Sequence, residues 1–445
     1  MISLPIRSHR ELRQAAVGSA MLNCWALIIL PLLMSFPSVS GWVSGTIVCW
    51  GFYVAARFRG LEKMDWQFAT ICAILPASLL FNMLFMGWVP GPLARPGHLV
   101  FGFFIYLVIA RYGLRRGVLF WSACAAVSVA FCIAAYEALY LGHARVFGLG
   151  HRWNAVPFGN FSLLLSFFCL AGALVAPQDE SHPWHRIVAG VAGFGLGLGA
   201  SVLSGTRGGW VAIPFLLILC LWLGNRISRR RRIAILMALI VSVAAVTTVS
   251  PRFQSRFTRA SAEVANYLAH PHDAKARSTS TGIRLAMWHW GMDRFLEHPL
   301  TGIGFSAYHE QRAEAVTEGE LPKEFRRLAN LHNELVTRLA MGGLPAAMAV
   351  LIFWYLGWQF FTRLLDPDNT NDRHYYAACG LLTVVGTGLF SMTESLFGTS
   401  PGTKAIMLLL IIPAGALRYA WRSETAYAEK PQFMHAPTSR SGEPC

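Results

Sequence analysis

Three basic side chains lie beside long apolar runs. Their types, two arginines and a histidine, are suited to chemistry on phosphate esters. Arg207 lies in the turn SGTRGG, Arg284 precedes two tryptophans, and His332 lies in the run LHNEL. Guanidinium groups bind phosphate oxygens bidentately, and a neutral imidazole can accept a proton from an attacking hydroxyl. The three residues therefore predict an active site at a membrane surface.

Each of these signals also has a structural interpretation, which the sequence leaves open. Arg207 and the free amides that follow it could cradle an anion, or the arginine could simply extend to the lipid headgroups from a glycine-rich turn. Trp288 and Trp290 could contact a sugar or belong to an interfacial aromatic belt. A lone interfacial histidine such as His332 is more often structural than catalytic.

Long apolar runs position these residues. Of 445 residues, 54% are hydrophobic and 14% are charged, and runs of about 20 residues, enough to cross a bilayer as a helix, recur along the chain. The sequence predicts an all-α polytopic membrane protein whose first run is a retained span and not a signal peptide. About twelve transmembrane helices are predicted, at 17–36, 37–56, 67–88, 98–112, 117–142, 157–176, 187–203, 210–224, 233–250, 340–361, 377–397 and 404–421.

The net charge of +15 is unevenly distributed. Clusters of arginine and lysine at 7–13, 57–63, 111–116 and 226–232 fall on one side of the membrane if the N-terminus is cytoplasmic, which predicts an N-in, C-in topology. The four consecutive arginines at 229–232 lie between two spans, so they are interpreted as a topology signal and not as a nucleic-acid site.

Most of the polar sequence outside the spans lies in one loop, which would be periplasmic in a bacterium. Helices are predicted within it at 284–295, 307–316 and 324–339, the last running into the tenth span. The predicted domains are 1–250 with nine spans, 251–339 as the loop domain, 340–421 with three spans, and 422–445 as a cytoplasmic tail, disordered from Ser423.

Cysteine and histidine patterns favour neither a disulfide framework nor a metal site. Eight of the nine cysteines lie in or beside apolar runs, as small buried hydrophobes do. His270, His272 and Asp273 lack further ligands at a recognisable spacing, and no aspartate pair suited to Mg²⁺ stands out in the loop. No cofactor is predicted. If diphosphate chemistry takes place here, arginines must replace the metal.

Taken in order, four sequence motifs resemble the bacterial O-antigen ligase family. They are the SGTRGG turn, the loop with Arg284 and the run HPLTGIG, the run LHNELV around His332, and the triplet GGL at 342–344. The resemblance covers residues 150–360 by motif and the whole chain by topology. It implies a membrane-embedded, GT-C-like glycosyltransferase of the bacterial inner membrane, with its active site facing the periplasm.

Enzymes of that family transfer a polysaccharide from undecaprenyl diphosphate to an acceptor, which for a ligase is a sugar hydroxyl of the lipid A core. The implied partners are therefore this donor, this acceptor and membrane lipids, with no nucleic acid and no cofactor. By motif match, Arg207 and Arg284 would clamp the diphosphate while His332 accepts the acceptor proton, inverting the anomeric centre. Further candidate substrate-binding residues are Arg152, Trp288, Tyr308, Asn333 and Arg338.

Two groups of alternatives stay open. An O-antigen polymerase or a protein O-oligosaccharyltransferase of the same family would use the same donor with another acceptor. From a different class, a transporter or flippase for an anionic lipid or sugar would need ionisable groups inside the spans. Glu394 in the predicted eleventh span and Glu137 in the fifth are the best such candidates, although both are also interpreted as buried, hydrogen-bonded groups.

Overall fold

The computed structural model is helical, without a strand, over the residues that it describes. These are 9–57, 60–115, 117–175, 183–224, 228–234, 237, 251–327, 330–365 and 372–428. The main helices are α1 (His9–Ser35), α2 (Pro37–Arg57), α3 (Lys63–Met86), α4 (Ala94–Tyr112), α5 (Val118–Ala135), α6 (Ala155–Leu174), α7 (Pro183–Leu203), α8 (Ala212–Leu223), α9 (Pro251–Ala269), α10 (Ser280–Glu297), α11 (Phe305–Thr317), α12 (Glu334–Thr362), α13 (Asp372–Phe390) and α14 (Ser400–Ala428).

Within the described part of the chain, nine helical segments are long and apolar enough to cross a membrane. They correspond to the first seven, the tenth and the twelfth of the predicted spans. The fourth is longer than predicted, because a 3₁₀ turn at Gly91–Leu93 leads directly into α4. These helices are those of a polytopic membrane protein.

The other predicted spans have different outcomes. The eighth is a short apolar helix, Gly208–Leu223, whose first residues form a 3₁₀ turn. The eleventh corresponds to α13, which starts earlier, on the polar residues Asp372, Arg373 and His374, and ends at Phe390, seven residues before the predicted end. The ninth, 233–250, lies largely outside the described residues.

The tail begins later than predicted. α14 continues to Ala428, through residues predicted to be disordered. Alanine and glutamate in this stretch are good helix formers, which outweighed the composition of the whole tail. Residues 429–445 of the predicted tail lie outside the described residues.

The apolar faces of the helices meet in one large core, while the outer surface stays apolar. α6 and α14 are the most enclosed spans and α2 is the least. Large aromatic side chains such as Trp42, Trp66 and Trp121 are exposed around the bundle. Exposed tryptophans suit the region where a bilayer meets water, so this surface agrees with a membrane setting.

Helices α9, α10 and α11 pack around a second, smaller core, which includes Met287, Trp290, Tyr308 and Phe325. The run HPLTGIG attaches these helices to α12. The amides of Ile303 and Gly304 donate to the carbonyls of Ala340 and Met341, at 2.9 and 3.1 Å. These carbonyls are available because α12 is kinked at Gly343, where φ is +64°. We call this end of the bundle the loop end.

The predicted helix over 324–339 is wrong before Glu334, and its remainder runs into the tenth span as predicted. Residues Lys323–Arg327 form a short 3₁₀ segment, and α12 begins only at Glu334. The side chain of Asn333 accepts the Val336 amide at 3.2 Å and so caps α12. An asparagine side chain competes with the helix for backbone amides, which explains why the helix starts here.

Candidate active site

His332 lies at the loop end, in the turn directly before α12, with a backbone φ of +50°. Its amide donates to the Asn330 side-chain oxygen at 3.0 Å. A non-glycine residue in this left-handed region costs of order 1 kcal/mol or more, and such residues are concentrated at functional sites. The fold therefore holds His332 in a conformation that the chain alone disfavours.

The imidazole of His332 is paired with a buried carboxylate. Its Nδ1–H donates to Oε2 of Glu394 at 3.0 Å, and the Glu394 side chain is 2% exposed whereas that of His332 is 17% exposed. A carboxylate at Nδ1 fixes the proton there in the neutral ring, so Nε2 carries the free lone pair. The pair has the arrangement of a general base with an orienting acid.

Several hydrogen bonds hold the His332 turn against the segment that carries Glu394. The Glu334 amide donates to the Ser391 carbonyl at 2.8 Å, and the Thr337 and Ser395 hydroxyls are 2.9 Å apart. The Glu334 carboxylate accepts from the Phe397 amide at 3.1 Å and from Arg338 at 2.7 Å. Because these groups are buried and paired, the distance between His332 and Glu394 is set by the fold.

Arg207 lies beside the same segment. It precedes the 3₁₀ turn at Gly208–Val211, and a side-chain carbon built on Gly208 would stand 2.9 Å from the hydroxyl oxygen of Thr393. On its other side the turn is held by Thr206, whose hydroxyl donates to the Ala155 carbonyl at 2.8 Å. The Arg207 side chain is exposed and forms no ion pair within the described residues. Its guanidinium is available to an anionic ligand.

The position of Arg284 relative to the site follows from Trp288, which lies one helical turn further along α10. The indole N–H of Trp288 donates to the Leu331 carbonyl at 2.9 Å, directly before His332. Residues four apart lie on the same face of a helix, so Arg284 is on the face of α10 that meets the His332 turn. Within the described residues it has no carboxylate partner. The side chain is half-buried and, like Arg207, uncompensated.

The remaining predicted substrate-binding residues have different surroundings. Asn333 caps α12 and also donates to the Met392 carbonyl at 3.3 Å, while Arg338 is buried against Glu334. Tyr308 is fully buried against Trp290, and burial raises the pKa of its hydroxyl. Arg152 is exposed, with its guanidinium 5.6 Å from the ring of Phe36. Asn333, Arg338 and Tyr308 thus have structural contacts within the protein. That any of these three residues or Arg152 contacts the substrate stays a prediction.

Sequence reasoning missed Glu394 as a partner of His332. Glu394 was considered only as an ionisable group within the eleventh span, but α13 ends at Phe390 and Glu394 lies in the turn beyond it. The interpretation of Glu394 as a buried, hydrogen-bonded group is confirmed. Among the residues that the structure describes, no group of three or more histidine, cysteine or acidic side chains could hold a metal ion.

Comparison with known proteins gave two findings. A family model described as O-antigen ligase matches residues 192–351, which contain Arg207, Arg284 and His332 but not Glu394. An uncharacterized protein of Haemophilus influenzae is similar at 23% identity over 313 residues, which cover 69% of this chain and 75% of that protein. That description states no activity, so the functional information comes from the family match.

Proposed function

We propose that this chain, whose residues 192–351 match the O-antigen ligase family model, transfers a polysaccharide from undecaprenyl diphosphate to a sugar hydroxyl of the lipid A core. The observation that carries the proposal is the contact of the His332 imidazole with buried Glu394, 3.0 Å between Nδ1 and Oε2. It supports a general base at the loop end of a bundle of apolar helices. The reaction would take place at the periplasmic face of the bacterial inner membrane.

The proposed reaction is a single displacement in which the acceptor loses its proton as it attacks. Nε2 of His332 accepts the proton of the sugar hydroxyl as its oxygen attacks C1 of the donor sugar. The new bond forms between the acceptor oxygen and C1, on the face opposite the leaving group, while the bond from C1 to the diphosphate oxygen breaks. This displacement inverts the anomeric centre. Glu394 keeps its negative charge and stabilises the imidazolium that forms.

Arg207 and Arg284 have the complementary role of meeting the charge on the leaving diphosphate. Both guanidiniums are uncompensated by carboxylates within the described residues, and both belong to elements packed on the segments around His332. Fixed cations at a poorly hydrated interface stabilise a developing negative charge far better than they would in water. The two arginines would therefore lower the barrier for departure of the diphosphate.

Complementation of a ligase-deficient Gram-negative strain tests the proposed function. The gene is expressed in a strain with a compatible donor and core, and its lipopolysaccharide is separated on a gel. We expect the wild type to restore the ladder of long-chain lipopolysaccharide. No ladder despite normal membrane levels would contradict the lipid A-core acceptor. Longer polysaccharide on the carrier lipid would instead indicate a polymerase.

Changing either arginine to alanine should slow transfer strongly. We expect Arg207→Ala and Arg284→Ala each to lower kcat by about 10²-fold, the usual effect of removing one preorganised group from a developing negative charge. Lysine at either position should restore part of the rate, since it keeps the charge but not the bidentate geometry. The measurement is transfer from a purified lipid-linked donor.

Arg294→Ala is the matched control for the arginine variants. Arg294 lies on α10 as Arg284 does, but it is paired with Glu297 at 3.1 Å. Its loss should leave the rate near that of the wild type. Equal losses for Arg284→Ala and Arg294→Ala would indicate damage to α10 and would contradict a specific role of Arg284.

Removal of divalent cations should leave transfer unchanged. In the proposed mechanism two guanidiniums meet the diphosphate charge, so no step requires a metal ion. The experiment compares the rate of the purified protein before and after treatment with a chelator, followed by readdition of Mg²⁺ or Ca²⁺. A rate that falls with the chelator and returns with a metal ion would overturn this part of the mechanism.

A further inference from the structure

A cavity of about 590 Å³ lies between α2, α4 and α14, and its lining contains none of His332, Glu394, Arg207 and Arg284. Its lining comes from most of the length of α2 and from the first turns of α4 and α14, and all three helices begin at the loop end. Because α2 is the least enclosed of the apolar helices, the cavity is at the rim of the bundle, where lipid would surround it. The volume lies in the usual range for a small-ligand pocket, roughly 300–1,000 Å³.

The lining of this cavity contains a positive charge without a compensating carboxylate. Lys404, at the start of α14, is half-buried and forms no ion pair within the described part of the chain. His98, at the start of α4, also lines the cavity, and its Nδ1 contacts the Arg95 carbonyl at 3.0 Å. A half-buried ammonium group in an apolar setting is costly unless an anion pairs with it.

The interior of the cavity combines apolar walls with one unsatisfied hydroxyl. Phe101 and Met407 supply apolar surface, and the buried hydroxyl of Ser44 has no hydrogen-bond partner in the structure. Glycines keep the space open. A side-chain carbon on Gly41 would stand 2.8 Å from Nζ of Lys404, whereas one on Gly45 would meet no atom within 4 Å. Such a cavity suits a hydrocarbon chain whose polar end bears a negative charge.

The position of the cavity favours the acceptor over the donor. In the donor the diphosphate is attached to the carbon that reacts, so it must lie beside His332. The cavity has its cation, Lys404, on α14, whereas Arg207 and Arg284 belong to the turn before α8 and to α10. A second anionic site apart from the reaction centre suits a glycolipid whose phosphates are several sugars away from its reacting hydroxyl.

We propose that the cavity between α2, α4 and α14 binds the phosphorylated, acylated end of the glycolipid acceptor, with Lys404 at a phosphate and an acyl chain along the apolar wall. The proposal rests on the proposed function for the identity of the acceptor. It adds a site that anchors the acceptor in the membrane leaflet at the loop end, while the core sugars extend to His332. The site would act on acceptor binding and not on the chemical step.

Direct binding to lipid A tests this proposal independently of catalysis. The full chain is purified in detergent, and binding of lipid A with both phosphates is measured by native mass spectrometry, also in a His332→Ala background that removes the proposed base. Lys404→Gln should weaken binding by about tenfold, as loss of a charge-assisted contact does. Lys404→Arg should retain it. Removing both phosphates from lipid A should weaken wild-type binding by a similar factor.

Filling the cavity provides a second variant with a matched control. Gly45→Leu places a side chain in open space inside the cavity, so the helix should tolerate it while lipid binding falls at least about tenfold. Gly195→Leu on α7 also meets nothing within 4 Å but lies outside the cavity, and it should bind lipid A as the wild type does. Normal thermal stability of both variants would support a specific loss.

Three results would overturn the proposal. In the first, Gly45→Leu and Lys404→Gln bind lipid A as tightly as the wild type. In the second, undecaprenyl diphosphate loses affinity in these variants while lipid A does not, which would assign the cavity to the donor. In the third, phosphatidylglycerol competes equally with lipid A, which would indicate a general anionic lipid groove. All three can be scored even if the complementation test of the proposed function fails.

Discussion

His332→Gly is expected to lower kcat at least about 10³-fold, because the variant lacks the proposed base, and general base catalysis typically contributes 10²–10⁴-fold. Glycine is the informative replacement here. The backbone of His332 has a φ of +50°, which glycine adopts without the steric cost that alanine would pay. The relief of backbone strain offsets part of the stability lost when buried Glu394 loses its partner, so the variant should stay folded at a modestly lower Tm while transfer from the purified donor is lost.

Chemical rescue provides the control for this variant. The glycine leaves space where the imidazole ring stood, and added imidazole should restore part of the rate. Rescue that requires the neutral form of the added base would support proton transfer at this position. A His332→Gly protein that is stable and retains the wild-type rate would contradict the assignment of His332 as the base.

Glu394→Gln is expected to lower kcat by about 10²–10³-fold with little change in KM, as loss of an orienting carboxylate does in related acid and histidine pairs. The amide keeps the size of the side chain but can donate to Nδ1, which moves the ring proton to Nε2. The ring is then oriented correctly and protonated at the wrong nitrogen. The charge that stabilises the imidazolium is lost as well.

Two variants separate this positioning effect from simple destabilisation. Glu394→Asp keeps the charge and should recover part of the rate, although its shorter side chain lengthens the contact with Nδ1. Glu297→Gln removes an exposed carboxylate on α10 that pairs with Arg294, and should have no effect on the rate. An increase of KM for both substrates with unchanged kcat in Glu394→Gln would contradict the proposed role.

The contact between His332 and Glu394 also bears on the transporter alternative. That alternative depended on ionisable groups inside the spans, with Glu394 and Glu137 as candidates. Glu394 lies beyond the end of α13 and is bound to His332, and Glu137 accepts the Phe147 amide at 2.9 Å at the loop end of the fifth span. Both carboxylates are thus used in contacts at one end of the bundle, which favours chemistry there.

Local sequence patterns were sufficient for most of the helices and for the main catalytic candidates. Apolar runs of about 20 residues predicted nine of the apolar helices, since hydrophobicity and length are properties of the segment itself. Arg207, Arg284 and His332 could be selected because each stands in a short motif next to a span, and the family match covers all three. Residue type and local order carry this information.

Only the tertiary structure could pair His332 with Glu394, which are 62 positions apart in the sequence and belong to different segments. The same reason applies to the contact of Gly208 with Thr393 and to the cavity between α2, α4 and α14. The sequence determined which segments are helices and which residues are candidates for chemistry. The packing of those helices decided which of these candidates meet, because a distance between segments depends on every contact that holds them together and not on their spacing along the chain.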